Sequence, residues 1–172
     1  VSAPTGAGLD ALRAAIGSIA RSSHRPGRHD TVRLPVDRVF TVKGFGTVVT
    51  GTLVTGRVAE GDELIVLPDE RQLRVRGVQV HGQPVRSVDA PSRVAVNLGS
   101  VDVHTLARGV TLATSGSLPV TRRIDVRIDL HASASPLRHR ARIRVHHATA
   151  DVDARVTVCA VRADGTTWRQ AV

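Results

Sequence analysis

The sequence predicts a mainly β chain: a small closed β-barrel, then part of a second β-barrel, with one short helix in front. Three observations carry that expectation. Valine recurs through short runs in which apolar and polar residues alternate, the period of a half-buried strand. The runs are separated by glycine-marked turns at close spacing, the pattern of a barrel rather than of a βαβ fold. Aromatic residues are almost absent, Phe40, Phe45 and Trp168 being the whole set, so the cores must be built from Val, Leu, Ile and Ala.

At the N-terminus, Leu9, Leu12, Ile16 and Ile19 fall at spacings of three and four, one apolar stripe on a short helix behind a glycine-rich turn. Such a stripe needs a partner. Its lack of an upstream cover, with the absence of any Met, gives the expectation that the chain is a slice of something longer. Residues 21–30, polar and carrying Pro26 and Gly27, read as a linker.

The stretch RLPVDRVFTVKGFGTVVTGT, residues 33–52, is the most informative. It begins as a strand in which Val32, Leu34 and Val36 alternate with other residues, and residues 39–42 continue with β-branched and aromatic side chains. It turns at Gly44 and Gly46, re-enters a strand at Thr47, and is punctuated again by Gly51. Short strands follow between Gly56 and Gly61, and from Leu64 to a stop at Pro68. The apolar phase then slips by one between Leu73, Val75 and Val78, Val80, which a bulge at Gly77 would explain. Over residues 92–98, Val94, Val96 and Leu98 face one way and Arg93, Ala95 and Asn97 the other. A helical turn is expected near residues 103–108.

A second β unit is expected after Ser115 and Gly116. Ile124, Val126, Ile128 and Leu130 alternate with Arg123, Asp125, Arg127 and Asp129, the clearest strand pattern in the chain. Arg140, Arg142, Arg144 and His146 then alternate with Ala141, Ile143, Val145 and His147. Val152, Ala154, Val156 and Val158 mark a further strand, and Asp164 with Gly165 a hairpin turn. These strands are too few to close a barrel. The unit boundaries are therefore 1–31, 32–116 and 117–172.

Charge and motifs bound the chemistry. The formal net charge is +9 over 172 residues, carried almost wholly by arginine, since Lys43 is the single lysine. A basic surface of that kind draws polyanions, nucleic acid first, although an arginine-for-lysine bias also follows from genome composition. One cysteine, Cys159, excludes an internal disulfide and leaves no paired-cysteine metal site, which fits a cytoplasmic setting. No apolar run is long enough to span a bilayer. The sequence holds no Gly-Lys-Ser/Thr loop, no Asn-Lys-x-Asp motif and no His-Glu-x-x-His, so no catalytic residue and no metal ligand is assigned.

The residues DRVFTVKGFGTVVTGT, with the alternating run at 92–98, resemble the second domain of translational GTPases of the elongation factor Tu class, and within it the selenocysteine-specific factors. The resemblance runs from Val1 to the C-terminus. It implies an elongation factor Tu-like β-barrel at 32–116, part of a third-domain barrel at 117–172, and the end of an α/β GTPase domain at 1–31. Ser2 and Ala3, ahead of Thr5 and Gly6, resemble the last guanine-nucleotide motif of that domain. GTP and Mg²⁺ are implied as cofactors of the full-length protein, with none bound by these residues alone.

The resemblance further implies a pocket for the aminoacyl end of selenocysteinyl-tRNA at Asp37, Arg38, Phe40 and Arg93. Where the Tu class has a second acidic residue this sequence has Arg38, and Arg93 stands where a neutral polar residue is usual. A selenol is ionised at neutral pH, so two arginines suit it. The row Arg140, Arg142, Arg144 and His146 would follow the tRNA backbone, its repeat of about 6.6 to 6.8 Å matching one strand face. The ribosome, and a selenocysteine insertion RNA element read by a region outside this chain, are the further partners implied. Two other readings stay open: a general elongation factor Tu-like GTPase segment, and a truncated remnant without function.

Overall fold

The barrel is assembled around one bent strand. A computed structural model describes residues 1–22, 31–99, 101–131, 133–162 and 168–170. The elements are helix α1 (Leu9–Ser22), then β1 (Arg33–Val42), β2 (Gly46–Leu53), β3 (Arg57–Ala59), β4 (Glu63–Leu67), β5 (Arg71–Arg74), β6 (Gly77–Val80), β7 (Gln83–Val85), β8 (Ser87–Asp89) and β9 (Ser92–Asn97). A 3-10 turn (Val103–Thr105), where a helical turn was expected, leads to β10 (Thr111–Ala113). Beyond it come β11 (Arg142–His147), β12 (Ala150–Arg155), β13 (Ala160–Arg162) and β14 (Trp168–Gln170).

The sheet order is β5-β4-β10-β1-β2-β9-β6-β7, with β3 and β8 pairing as a separate ribbon. Strand β1 serves both halves: its first residues pair with β10 (Arg33 opposite Ala113) and its later ones with β2 (Arg38 opposite Thr50). The two ends of the sheet meet at the stretch joining β5 to β6. Val75 N–H donates to the Asp62 carbonyl at 2.8 Å, and its carbonyl accepts from Gly61 at 2.9 Å, continuing the β4 ladder. The next amide, Arg76 N–H, donates to Asn97 O at 2.8 Å and begins the β9 ladder. Strands β4, β10, β1, β2, β9 and the bent β5–β6 stretch therefore form a ring that closes at Val75 and Arg76, as in a barrel. The phase slip read at Gly77 is this hand-over from one neighbour to the next, not a bulge within one ladder.

The ring encloses a core that alternation fixes. Leu34 and Val36 from β1, Val49 and Leu53 from β2, Val94 and Val96 from β9, and Leu112 from β10 are fully buried. Each such side chain contributes about 1.5–3 kcal/mol relative to exposure. Gly44 and Gly46 turn the β1–β2 hairpin with positive φ, and a Cβ on Gly46 would stand 2.6 Å from Gly99 O. Gly51 does not punctuate the chain, because β2 runs through it to Leu53. It is glycine because β1 crosses too close: a Cβ there would overlap the Pro35 carbonyl oxygen and lie 2.9 Å from Leu34 Cδ1.

Outside the ring the picture changes. Helix α1 forms as its periodicity predicts and extends to Ser22, into the expected linker, whose remaining residues 23–30 lie outside the described ones. None of its residues is buried, and Leu12, Ile16 and Ile19 are exposed. After Ala113 no described residue is buried. Among the described residues the second β unit holds two two-stranded ribbons, β11 with β12 and β13 with β14. The clearest strand of the sequence, residues 124–130, is not a strand: Ile124, Val126, Ile128 and Leu130 are exposed, and no backbone hydrogen bond holds those residues among the described ones. Alternation supplies an apolar face, but a strand also needs a neighbour for its N–H and C=O groups. Val156 and Val158 likewise lie beyond the end of β12. The expected turn at Asp164 and Gly165 lies outside the described residues, between two strands that pair. No described helix is long and apolar enough to cross a membrane.

Candidate aminoacyl-end site on the barrel

A single extra residue in β1 organises the outer face of the barrel. Val36 pairs with Gly51 and Arg38 with Thr50, so Asp37 has no partner across the ladder and forms a bulge. Val36 before it is fully buried, and Val39 after it packs against the core. The two residues between them are both turned toward the outside, and the phase of β1 is reversed from there on. Phe40 therefore also faces outward, 40% exposed, instead of filling the core.

Neighbouring strands complete the face. On β9, Val94 and Val96 point inward, so Arg93 points outward, as its alternation predicts. Its guanidinium grips Asp37 in a two-point ion pair, Nη2 to Oδ1 at 2.9 Å and Nη1 to Oδ2. Thr50 on β2 lies between them and donates its hydroxyl to Asp37 Oδ1 at 2.9 Å. Hydrogen bonding from Arg93 holds the Asp37 carboxyl below its usual value, helped by Thr50 and opposed by partial burial. The same bond raises Arg93. Arg38 is exposed beside this pair and has no hydrogen bond or ion pair of its own among the described residues.

The sequence thus names Asp37, Arg38, Phe40 and Arg93, and the structure brings all four to one face of β1, β2 and β9. The Asp37 carboxylate is held not by its chain neighbour Arg38 but by Arg93, 56 residues away. Thr50 was missed. Its signal, an outward phase on β2 opposite Arg38, is readable only once the bulge is known.

The basic row on the second unit is partly broken. Arg142, Arg144 and His146 share β11, but Arg140 precedes the strand in a turn with φ of 62°, so it does not continue their face. Its amide donates to Val156 O at 2.8 Å, which ends the ladder there. Arg144 is 3.3 Å from both Asp151 and Asp153, and His146 lies 3.9 Å from Asp151. Arg142 instead sits directly opposite Arg155, a residue the sequence reading did not single out. Two like charges in register repel, and an anion between them would relieve that repulsion. With Ile143, Arg144, Asp153 and Ala154, they line a groove on the ribbon. Ser2 and Ala3 lie in an exposed turn ahead of α1, where Ser2 N–H donates to Ala7 O at 2.9 Å.

Comparison with known proteins defines the class first. Residues 46–113, from β2 through β10, match the family model "Elongation factor Tu domain 2". Strand β1, ahead of the match, joins the same barrel through its ladders with β2 and β10. The selenocysteine-specific elongation factor of Desulfomicrobium baculatum is 41% identical over 157 residues, 91% of this chain and 25% of that protein. That of Escherichia coli K12 is 33% identical over 157 residues, with the same two coverages. The crystal structure of translation elongation factor SelB from Methanococcus maripaludis, in complex with the GTP analogue GPPNHP, superposes with a TM-score of 0.71 at 27% identity, covering 99% of this chain and 38% of that one. The chain belongs to the selenocysteine-specific elongation factors, the SelB family. It spans about a quarter of the length of the curated relatives it matches.

Proposed function

We propose that this chain is the tRNA-holding portion of a selenocysteine-specific elongation factor, and that the outer face of β1, β2 and β9 receives the aminoacyl end of selenocysteinyl-tRNA. The observation that carries this reading is the bulge at Asp37, which turns Arg38 and Phe40 outward beside the Asp37–Arg93 pair. Arg93 spends two of its five N–H donors on Asp37 and keeps three for a ligand. Asp37 and Thr50 fix its guanidinium plane before any ligand arrives, so little side-chain entropy remains to be lost. Arg38 supplies the second, unpaired cation. Charge-assisted hydrogen bonds from either to a selenolate contribute about 1.5–3 kcal/mol. That separates selenolate from a serine hydroxyl by roughly one to two powers of ten per contact. Phe40 offers an aromatic surface to the terminal adenosine.

On the second unit, Arg142 and Arg155 would clamp a backbone phosphate, with Arg140, Arg144 and His146 nearby. In this reading residues 32–116 are the second domain, residues 117–172 part of the third, and residues 1–31 the end of the GTPase domain. The residues present do not fit GTP and Mg²⁺: there is no phosphate-binding loop, and Ser2 and Ala3 contribute only a turn. Nucleotide hydrolysis, delivery to the ribosome at UGA codons and recognition of the insertion RNA element belong to the whole protein.

The test compares binding of selenocysteinyl-tRNA and seryl-tRNA on one tRNA body. The expected result is a preference for the selenocysteinyl form that Arg38→Ala and Arg93→Ala each reduce about tenfold or more. Equal affinity for the two, or an unchanged preference in both variants, would overturn the proposal.

A further inference from the structure

The β11–β12 ribbon meets the barrel at its turn, and the contact lies next to the bulge that builds the aminoacyl-end face. Gly109, in the loop before β10, has a φ of 100°, and a Cβ there would stand 3.1 Å from Ala150 Cα. Only glycine lets the two backbones come so close. Beside it, Arg108 Nε donates to Thr149 O at 3.4 Å, and Arg33 at the start of β1 donates from Nη2 to His147 Nε2 at 3.3 Å. The Thr149 hydroxyl oxygen is buried. Gly109 N–H in turn donates to Val36 O at 3.0 Å, and Val36 N–H to Val110 O at 2.9 Å, which ties the contact to the residue before Asp37. At the other end of the ribbon, five residues along β11 from His147, Arg142 faces Arg155. A strand of that length spans about 17 Å.

Given the tRNA-holding role proposed above, on which this rests, we infer that the turn at Thr149 and Ala150 is a positioning contact. Seated on Gly109, it holds the Arg142–Arg155 pair at a fixed distance from the face of Asp37, Arg38, Phe40 and Arg93, so that one tRNA reaches both. Two sites on one frame bind a ligand that spans them more tightly than either alone, by about 10²–10⁴-fold, and the gain is lost when the spacing is wrong. A loosely hung ribbon would sample many separations, and selecting the right one would cost affinity. Gly109 and Ala150 are small because the spacing requires it. Extra bulk between them tilts the ribbon, and the displacement is carried along its length to the arginines.

Ala150→Leu in the full elongation factor tests this with two ligands. One is selenocysteinyl-tRNA, and the other is selenocysteine esterified to a short CCA oligonucleotide, which reaches only the barrel face. The variant should lose about tenfold or more in affinity for the whole tRNA and keep the parent's affinity for the short ligand. Thr149→Gly, which loosens the turn instead of wedging it, should show the same split, and Ala150→Ser, one atom larger than the parent, should bind both ligands as the parent does. Damage to the barrel would lower both affinities together, so the split separates positioning from lost folding. An equal loss of both ligands, or of neither, in Ala150→Leu and Thr149→Gly would overturn the positioning role and leave the aminoacyl-end site standing. A parent that binds the tRNA but not the short ligand would overturn the reading of the barrel face, and this role with it.

Discussion

The barrel and the segment after it are written in the same alphabet and end differently. Between Arg33 and Ala113, alternating valines and leucines become fully buried, because β4, β10, β1, β2, β9 and β6 each find two neighbours and the ring closes through Val75 and Arg76. From residue 114 onward, alternation of equal or better regularity leaves Ile124, Val126 and Ile128 exposed. The lesson is that alternation says which side chains a strand would bury, whereas burial requires a partner for the backbone and a second layer for the face.

The largest effect that sharpens this contrast is expected at Gly51. A Gly51→Val substitution drives a side chain into Pro35 and should cost about 3 kcal/mol or more, read as loss of the cooperative denaturant transition. Leu112→Ala, a cavity in the same core, should cost about 2–5 kcal/mol. Ile128→Ala in the second unit should stay within about 0.5 kcal/mol under the same assay. Hydrogen exchange gives the comparison amide by amide: those of β2 and β9 should exchange only with global unfolding, and those of residues 124–130 within the dead time of a manual experiment.

The smallest expected effect is on acid stability. Arg93 holds Asp37 below its ordinary value of 3.8, so the pair's stabilisation is complete above that value and is lost as pH falls through the lower folded-state value. Asp37→Asn should flatten the acid limb of a stability–pH curve below about pH 4 and leave its neutral region with the same shape. Because Arg93 is half exposed, the effect should be modest and should shrink further in high salt.

What could be read from the sequence divides along the same line. Residues 92–97 were legible because both faces are decided at once, Val94 and Val96 inward, Arg93 and Asn97 outward. The candidate site was half legible. Asp37, Arg38, Phe40 and Arg93 follow from the family's motif, but their arrangement depends on one bulged residue, and a bulge appears in sequence only as a change of phase between Val36 and Val39. Thr50 was hidden for the same reason, since its partner Asp37 has no place in the regular ladder. The closure at Val75 and Arg76 was visible as a slip and misassigned, because a slip does not say which neighbour is being exchanged. Arg155 was missed because its meaning lies in the register that puts it opposite Arg142.

One measurement addresses the proposed division of labour between the two regions directly. Hydrogen exchange would be followed on the full elongation factor bound to selenocysteinyl-tRNA and to the same tRNA without its amino acid. Protection of residues 37–40, 50 and 93 is expected only with the aminoacylated form, and protection of residues 140–147 and 155 with both. Identical footprints for the two tRNAs, or protection confined to the second unit, would contradict it.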